Sequence, residues 1–407
     1  MLNPEELVDA YGSPLYVYDL DRLRAARRDL RDALPDGFTT YYSLKANPHP
    51  LIGATLRAEG CRAEVCSTGE LLSALEAGFP AGEILYGGPG KTTAEIDLAI
   101  GRGVRTFSAE SPADLTRVGD SARRHGVTAD CLLRINGSAP AATTSIRMTG
   151  TPSQFGIDEE TLPQVMDGLL DTPGTRVVGL HFYPLSNARD EDSLIAEATQ
   201  SIAVAAAIRD THRVPIEVLD IGGGFAAPYS VPGRRPYYRK LRGELERALD
   251  LHFPAWRTGH PRLAVETGRY LTGDCGELLT TITTVKHSRG RRFAVLDAGI
   301  NTLGGMAGLG RLLPLAVRVD GVPDGTATLT GPLCTPGDLL GREVEVPALA
   351  EGTILRIPNV GGYGLTASLI GFLGRPNPAE VFLTGGRVTA ATRLELTRVP
   401  LTPPPAP

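Results

Sequence analysis

The chain has 407 residues, of which 42% are hydrophobic and 21% are charged, a composition typical of a globular protein long enough for two domains. Its formal net charge is −5, which gives no overall basic footprint, so we do not expect nucleic acid as a partner. No apolar run reaches the length of a membrane span, and residues 1–6 lack the basic and apolar blocks of a signal peptide, so we expect no membrane association.

The five cysteines are Cys61, Cys66, Cys131, Cys275 and Cys334, and they lack the spacing of metal ligands. Cys61 and Cys66 do not form a CxxC pair, and no histidine lies near them to complete a zinc site. We therefore predict no metal site and expect reduced thiols in a cytoplasmic protein.

The chain begins with a predicted strand over residues 13–18 and a helix over 20–34, which Asp19 can cap. Short β-rich runs bounded by glycine, proline or asparagine then alternate with helical patterns such as 70–77 and 94–100. The eight runs are 39–44, 62–66, 83–86, 105–108, 131–135, 176–182, 215–221 and 262–265. Eight strands alternating with helices predict a (β/α)8 barrel, and a doubly wound open sheet is the alternative.

From about residue 270 the pattern changes to β-rich segments separated by turns. These segments are 278–286, 292–296, 316–319, 327–329, 343–346 and 354–357. We therefore predict a barrel domain over 20–265 and a β-rich domain formed by 1–19 and 266–400. The proline-rich residues 401–407 are predicted to be a disordered tail.

Lys45 ends the first predicted barrel strand, just before Asn47 and Pro48 open a loop. A lysine at the mouth of an apolar strand loses hydration, which lowers its pKa and makes its amine a nucleophile towards carbonyls. An ordinary salt-bridged lysine is the alternative interpretation.

Other polar or glycine residues mark the ends of later strands. They are Glu64, Arg134, Tyr183, Gly222, Gly223, Gly224 and Glu266. Because the active sites of barrel enzymes are built from the carboxyl ends of the strands, we expect these residues to converge on one mouth.

The three glycines and Glu266 suggest which ligand this mouth binds. A triple glycine lets the backbone approach a phosphate and offers several N–H donors, although it is also common in ordinary loops. Glu266 ends an apolar strand and should meet a cation, for which Arg269 is the simplest structural partner. An amine, a phosphate cradle and an acid together match the needs of pyridoxal 5'-phosphate.

Eight sequence blocks, in order along the chain, resemble those of the fold-type III pyridoxal-phosphate decarboxylases, the diaminopimelate, ornithine and arginine decarboxylase family. The blocks lie at 42–47, 64–70, 153–157, 219–225, 266–269, 297–299, 331–338 and 362–363. The resemblance implies a (β/α)8 barrel followed by a C-terminal β-sandwich or β-barrel domain of the alanine racemase type. It also implies a homodimer with shared active sites.

Carried over position by position, the resemblance implies roles for individual residues. Lys45 would bind the cofactor covalently, Glu266 would pair with its pyridine nitrogen, and Cys334, offered across the dimer interface, would reprotonate the α-carbon. The remaining cofactor contacts would be Glu64, Arg134, Tyr183, Ser186, Gly222, Gly223, Gly224, Gly268, Arg269 and Tyr363. The substrate would also be contacted by Arg269, Cys334, Thr335 and Tyr363.

The chain departs from the family at positions that bear on the substrate. Tyr183 stands where most members stack a histidine on the pyridine ring, and Thr267 replaces a proline. Gly305 and Leu309 replace an arginine and a tyrosine that hold the distal end of diaminopimelate, and Thr335 replaces the acidic residue that binds a distal ammonium. A free dibasic amino acid would leave its charged end unpaired, at a cost of about 1–3 kcal/mol or more.

The resemblance is therefore nearest to the branch that decarboxylates amino acids attached to acyl carrier proteins in natural-product pathways. We predict an aspartate-type or glutamate-type substrate, attached through its side-chain carboxyl. The alternatives are a decarboxylase of free diaminopimelate or ornithine, a racemase of the same fold, and a non-catalytic pyridoxal-phosphate-binding homologue. A racemase is expected to carry an arginine at the pyridine nitrogen, where this chain has Glu266. His181 lies on the sixth predicted strand within reach of the mouth, but we interpret it as a core histidine with a satisfied hydrogen bond.

Overall fold

The computed structural model describes residues 3–137, 152–188, 190–304, 317 and 319–401. The chain divides into two compact units. The first unit comprises Leu20–Tyr229 and Gly233–Cys275, and the second comprises Met1–Asp19, Ser230–Pro232 and Gly276–Pro407. The first unit continues ten residues past the predicted boundary at 265, because Asp274 is tied to it through Arg22 and Arg235.

The α-helices of the described residues, numbered α1 to α10, are Pro4–Tyr11, Leu20–Ala33, Pro50–Ala58, Thr68–Glu76, Thr93–Gly101, Pro112–Arg124, Leu162–Leu170, Glu191–His212, Leu241–His252 and Arg269–Thr272. None of these helices has both the length and the apolarity needed to cross a bilayer.

The strands of the described residues, numbered β1 to β17, are Leu15–Asp19, Thr39–Ser43, Arg62–Val65, Ile84–Tyr86, Thr106–Ala109, Ala129–Asn136, Ile157–Asp158, Thr175–Phe182, Val218–Asp220, Arg262–Thr267, Gly276–Ser288, Arg291–Leu296, Thr326–Thr330, Leu339–Glu345, Ile354–Ile357, Ala379–Thr384 and Arg387–Arg393.

The first unit is a closed parallel barrel. Its eight strands follow the order β5-β4-β3-β2-β10-β9-β8-β6, and the pairing of β5 with β6 closes the ring. All eight predicted barrel strands and the predicted barrel fold are confirmed, whereas the alternative of an open sheet is wrong because these eight strands form a ring.

Apolar side chains fill the barrel, and polar side chains cap the helices around it. Tyr41, Leu85, Leu132, Val178 and Ala264 form one interior cluster. Each of these side chains comes from a different strand of the ring, as expected for the layered core of such a barrel. Hydroxyl caps such as Thr92, which accepts from the Glu95 N–H, begin several of the outer helices.

The second unit is built on a sheet of strand order β14-β13-β12-β11-β1-β16-β17, with β15 also paired to β11. The N-terminal strand β1 lies antiparallel to β11 and parallel to β16. Its core includes Leu15, Val17, Leu279 and Val381. The sequence did not predict α1, β16 or β17. The predicted strand 316–319 has residues 316 and 318 outside the described residues, and the predicted tail lies outside them from residue 402 onwards.

Candidate active site

Consecutive barrel strands align three of the polar residues of the first unit. Arg134 on β6 is in register with His181 on β8, which is in register with Asp220 on β9. Glu266 on β10 lies opposite Tyr41 on β2. Because the strands are parallel, residues far apart in the sequence meet at the carboxyl end of the barrel.

Lys45 lies in a short 3-10 helix, Leu44–Ala46, directly after β2. Its Nζ lies 3.6 Å from Glu64 Oε2 and 5.3 Å from the centre of the Tyr183 ring, and its side chain remains 38% exposed. Burial acts to lower the pKa of Lys45, but the charge of Glu64 acts against it, and the pKa lies well above its usual value. The expectation of a lowered pKa is therefore wrong for this structure, because the neighbouring carboxylate outweighs the loss of hydration.

Glu64 joins Lys45 to a thiol that the sequence did not single out. The Glu64 side chain is only 4% exposed, and its Oε1 accepts a hydrogen bond from Cys66 Sγ at 2.8 Å. Burial and then the charge of Glu64 raise the pKa of Cys66 well above its usual value. Cys66 is therefore a neutral hydrogen-bond donor that orients the carboxylate facing Lys45.

Glu266 is buried and faces a histidine. Its Oε1 lies 3.4 Å from His181 Nε2, and His181 Nδ1 lies 2.7 Å from Ser108 Oγ. Burial acts to raise the pKa of Glu266, but His181 lowers it well below its usual range. The cation that faces Glu266 from another strand is thus His181.

Asp220 completes a buried cluster with His181 and Glu266. One ligand-type atom of each residue lies within 4.8 Å of the others. Asp220 Oδ1 accepts the backbone N–H of Gly222 at 2.9 Å. Burial, and then the charge of Glu266, raise the pKa of Asp220 to about 7. Sequence reasoning missed Asp220, although its position one residue before Ile221 at the end of a strand was the available signal.

Arg134 pairs with Glu110, a carboxylate that sequence reasoning also missed. Its Nη1 donates to Glu110 Oε1 at 2.9 Å, and Glu110 Oε2 accepts the Gly156 N–H at 2.8 Å. The guanidinium carbon of Arg134 lies 5.6 Å from the centre of the Tyr183 ring and 4.7 Å from that of Phe155. The Tyr183 ring is thus flanked by the two cations Arg134 and Lys45.

The three glycines after β9 allow the backbone of their loop to lie close to the end of the barrel. Gly222 has φ +76°, and a Cβ on Gly223 would lie 2.5 Å from Glu266 O and 3.1 Å from Tyr183 Cε2. No side chain larger than hydrogen fits at Gly223 without moving the backbone that carries Glu266. Gly224 O accepts the Ala188 N–H at 2.8 Å, which brings the loop containing Ser186 against the glycines.

Gly268 and Arg269 follow β10 directly. Gly268 precedes the first residue of α10, Arg269, whose side chain is buried and lies near the Tyr229 ring. The barrel unit therefore brings Lys45, Glu64, Arg134, Tyr183, Glu266 and the three glycines together at adjoining strand ends, and it places Gly268 against Ser43 and Ala46. Three glycines, a lysine amine and a buried acid are groups that a site for pyridoxal 5'-phosphate requires.

Cys334, Thr335 and Tyr363 belong to the second unit. Cys334 is exposed, in a turn closed by Asp338, whose carboxylate accepts the N–H groups of Leu333 at 2.7 Å and Ile300 at 2.8 Å. Tyr363 is half-buried and has φ +55°. Gly305 and Leu309 lie outside the described residues.

A closed parallel barrel with a lysine, a glycine cradle and a buried acid at one end defines a barrel enzyme of the pyridoxal-phosphate class. The family model described as "Pyridoxal-dependent decarboxylase, pyridoxal binding domain" matches residues 20–273. The chain belongs to this family of pyridoxal-dependent decarboxylases, which confirms the resemblance seen in its sequence.

Individual relatives cover almost the whole chain. The L-glutamyl-[BtrI acyl-carrier protein] decarboxylase of Niallia circulans is 32% identical, over 93% of this chain and 91% of its own length. The diaminopimelate decarboxylase of Methanothermobacter thermautotrophicus is also 32% identical, over 96% of this chain and 91% of its own length. The crystal structure of diaminopimelate decarboxylase from Helicobacter pylori complexed with L-lysine superposes with a TM-score of 0.82 at 25% identity, covering 95% of both chains.

These findings establish the general activity. The protein is an enzyme, a pyridoxal-phosphate-dependent carboxy-lyase, and the prediction of a decarboxylase and of its cofactor is confirmed. The alternatives of a racemase and of a non-catalytic homologue are not supported by these relatives.

Proposed function

We propose that this decarboxylase acts on an acidic amino acid, of the glutamate or aspartate type, attached through its side-chain carboxyl to an acyl carrier protein in a secondary-metabolite pathway. The name of the Niallia circulans relative, which acts on a carrier-protein-bound glutamyl group, supports this substrate class. Attachment through a thioester removes the distal charge of the amino acid, so the enzyme needs no charged residue to bind it.

The turn around Cys334 supports this substrate class through the acidic group that it lacks and the one that it contains. Thr335 replaces the acidic residue expected for a distal ammonium, and its Oγ1 accepts the Gly337 N–H at 3.3 Å. Asp338, the acidic residue of this turn, is only 3% exposed and uses both carboxylate oxygens on backbone N–H groups. Neither residue offers a free carboxylate to a substrate ammonium, so this turn would not compensate a dibasic amino acid for the lost hydration of its distal charge.

We propose the following cofactor contacts. Lys45 would hold the aldehyde end of the cofactor, Glu266 the ring nitrogen, and Gly222, Gly223 and Gly224 the phosphate. Further contacts come from Glu64, Arg134, Tyr183, Ser186, Gly268, Arg269 and Tyr363. When bound, pyridoxal phosphate supplies the electron sink that accepts the bonding electrons as carbon dioxide leaves.

The chain's own residues supply the remaining chemistry. Glu64 stabilises Lys45 as an ammonium until the amine reacts with a carbonyl. Glu266 keeps the negative charge that would stabilise a proton on the ring nitrogen. Tyr183 offers an aromatic face between Lys45 and Arg134, where most family members stack a histidine. Cys334 or Lys45 returns a proton to the α-carbon of the substrate.

We also propose a homodimer with shared active sites, in which Cys334 of one subunit serves the barrel of the other. The exposure of Cys334 supports this arrangement, since a thiol that acts on a substrate must be reachable from outside its own unit. Arg269, Cys334, Thr335 and Tyr363 would then form the substrate side of the site.

The decisive experiment compares tethered and free substrates. Carrier protein loaded with glutamate or aspartate through the side-chain carboxyl is incubated with the holoenzyme, and the mass of the carrier protein is measured. We expect the loaded carrier protein to lose the mass of one carbon dioxide, with no turnover of free glutamate, lysine, ornithine or diaminopimelate. An unchanged carrier mass together with turnover of free diaminopimelate would reject the proposal in favour of the activity of the Methanothermobacter relative.

A further inference from the structure

We infer that His181 is a positioning residue of the decarboxylation site, which fixes the orientation and the negative charge of Glu266 through an ion pair anchored on Ser108. The inference rests on the proposed role of Glu266 at the ring nitrogen of the cofactor. It assigns to His181 a role in the site, whereas the sequence places His181 within reach of the mouth but favours a core histidine.

The geometry of His181 ties three barrel strands together. The side chain projects from β8, is 3% exposed, and places Nδ1 2.7 Å from Ser108 Oγ on β5. Its Nε2 lies 3.4 Å from Glu266 Oε1 on β10. A purely structural histidine could be satisfied by Ser108 alone, whereas here the second nitrogen faces a buried carboxylate.

The charges around the imidazole favour its protonated form. Burial acts to lower the pKa of His181, but Glu266 acts against it, and the pKa is raised. A buried carboxylate without a cation would take up a proton, because desolvation penalises the charged form. The imidazolium therefore keeps Glu266 ionised in an environment that would otherwise neutralise it.

Asp220 is a second carboxyl group beside the His181 imidazole, and its environment differs from that of Glu266. Its Oδ1 accepts the Gly222 N–H, while its Oδ2 is buried and has no hydrogen-bond partner among the described residues. Two carboxyl groups beside one imidazolium cannot both remain ionised at low cost. Because the pKa of Asp220 is raised to about 7 while that of Glu266 is lowered, Asp220 takes up a proton before Glu266 as the pH falls.

Other charged or titratable groups also face the cluster. They are Tyr41 on β2, Lys45 after β2, Glu64 on β3 and Arg134 on β6. Arg134 lowers the pKa of His181 but is already paired with Glu110 at 2.9 Å. Lys45 is paired with Glu64. His181 is therefore the cation of the described barrel that lies at ion-pair distance from Glu266.

The test measures cofactor binding rather than turnover. His181→Gln keeps a hydrogen-bonding side chain but removes the charge. We expect the apoprotein of this variant to bind pyridoxal phosphate about tenfold more weakly and the absorbance of the bound cofactor to follow a shifted pH profile. His125→Gln is the matched control, because His125 lies 3.6 Å from Asp97 in an exposed pair outside the cluster.

A double-mutant cycle with Glu266→Gln separates positioning from folding. If His181 acts through Glu266, then His181→Gln should cause no further loss of cofactor affinity in protein that already carries Glu266→Gln. Ser108→Ala removes only the hydrogen-bond partner of His181 Nδ1, so it should shift the pH profile in the same direction by a smaller amount. It replaces His181→Gln as the test variant if His181→Gln does not fold.

Two results would overturn the inference. One is an unchanged affinity and pH profile in His181→Gln or, where that variant does not fold, in Ser108→Ala. The other is an equal loss from His181→Gln whether or not Glu266→Gln is also present, which would indicate a structural effect. If Glu266→Gln binds the cofactor with the same affinity and pH profile as the wild type, the proposed role of Glu266 is rejected, and the inference with it.

Discussion

Lys45 Nζ and Glu64 Oε2 lie 3.6 Å apart at the end of the barrel. Ser43 and Glu64 are register partners on the neighbouring strands β2 and β3, so the ion pair spans two strand ends. The Lys45 amine is thus held as an ammonium by a carboxylate from another strand.

Replacing Glu64 should therefore change the pH at which Lys45 reacts. In Glu64→Gln the leading group that raises the pKa of Lys45 is lost, so we expect that pKa to fall. The rate at which cofactor absorbance appears on adding pyridoxal phosphate to apoprotein should then rise at neutral pH. Glu76→Gln, an exposed change on α4, is the control; equal pH profiles in both variants would contradict the expectation.

Variants of Lys45 and Cys334 should distinguish covalent attachment of the cofactor from protonation of the substrate α-carbon. Lys45→Ala removes the amine, so reduction with borohydride should leave no cofactor covalently bound to the protein. Cys334→Ala should keep covalent binding but lower kcat by about 10²–10⁴-fold if the thiol is the general acid. Mass spectrometry of the reduced protein and steady-state kinetics measure the two effects. Full activity in Lys45→Ala would show that the site is wrongly assigned.

A methyl group on Gly223 should weaken cofactor binding. In Gly223→Ala the added Cβ would lie 2.5 Å from Glu266 O, so either the glycine loop or the end of β10 must move. We expect at least about a tenfold increase in the Kd for pyridoxal phosphate, measured by absorbance titration. Gly82→Ala is the matched control, since nothing lies within 4 Å of its added Cβ. Wild-type affinity in Gly223→Ala would mean that this loop does not contact the cofactor.

Glu380 should make the second unit less stable at alkaline pH. The side chain is 5% exposed, Tyr18 donates to it at 3.2 Å, and burial raises its pKa from 4.5 to about 7. Between these two values the folded state binds more protons than the unfolded state, so the free energy of unfolding falls as pH rises and levels off above about 7.

Glu380→Gln removes this titration and keeps an acceptor for Tyr18. We expect the variant to be more stable than wild type by roughly 1–3 kcal/mol at about pH 8 and nearly equal to it at about pH 4. Urea unfolding at several pH values measures the difference. Glu345→Gln, an exposed change on β14, should show no such pH dependence. A parallel offset at every pH would contradict the argument.

The sequence indicated the barrel strands because they are short β-rich runs bounded by glycine, proline or asparagine, a pattern that depends on nearby residues alone. It failed on β16 and β17 for a related reason. β17 exposes most of its side chains and β16 buries the charged Glu380, so neither shows the expected alternation of apolar and polar residues. Both are strands because their neighbours in the sheet supply their hydrogen bonds.

The sequence by itself determined the family and the cofactor and predicted which lysine binds it, since these follow from ordered blocks of adjacent residues. Tertiary structure alone decided the charge on that lysine and the surroundings of Glu266. Sequence reasoning predicted a lowered pKa for Lys45, but Glu64 arrives from the next strand and raises it. Ser108, His181 and Glu266 are separated by more than seventy residues at each step. Their interaction exists because a closed parallel ring brings distant strand ends within a few ångströms, where burial strengthens every electrostatic contact.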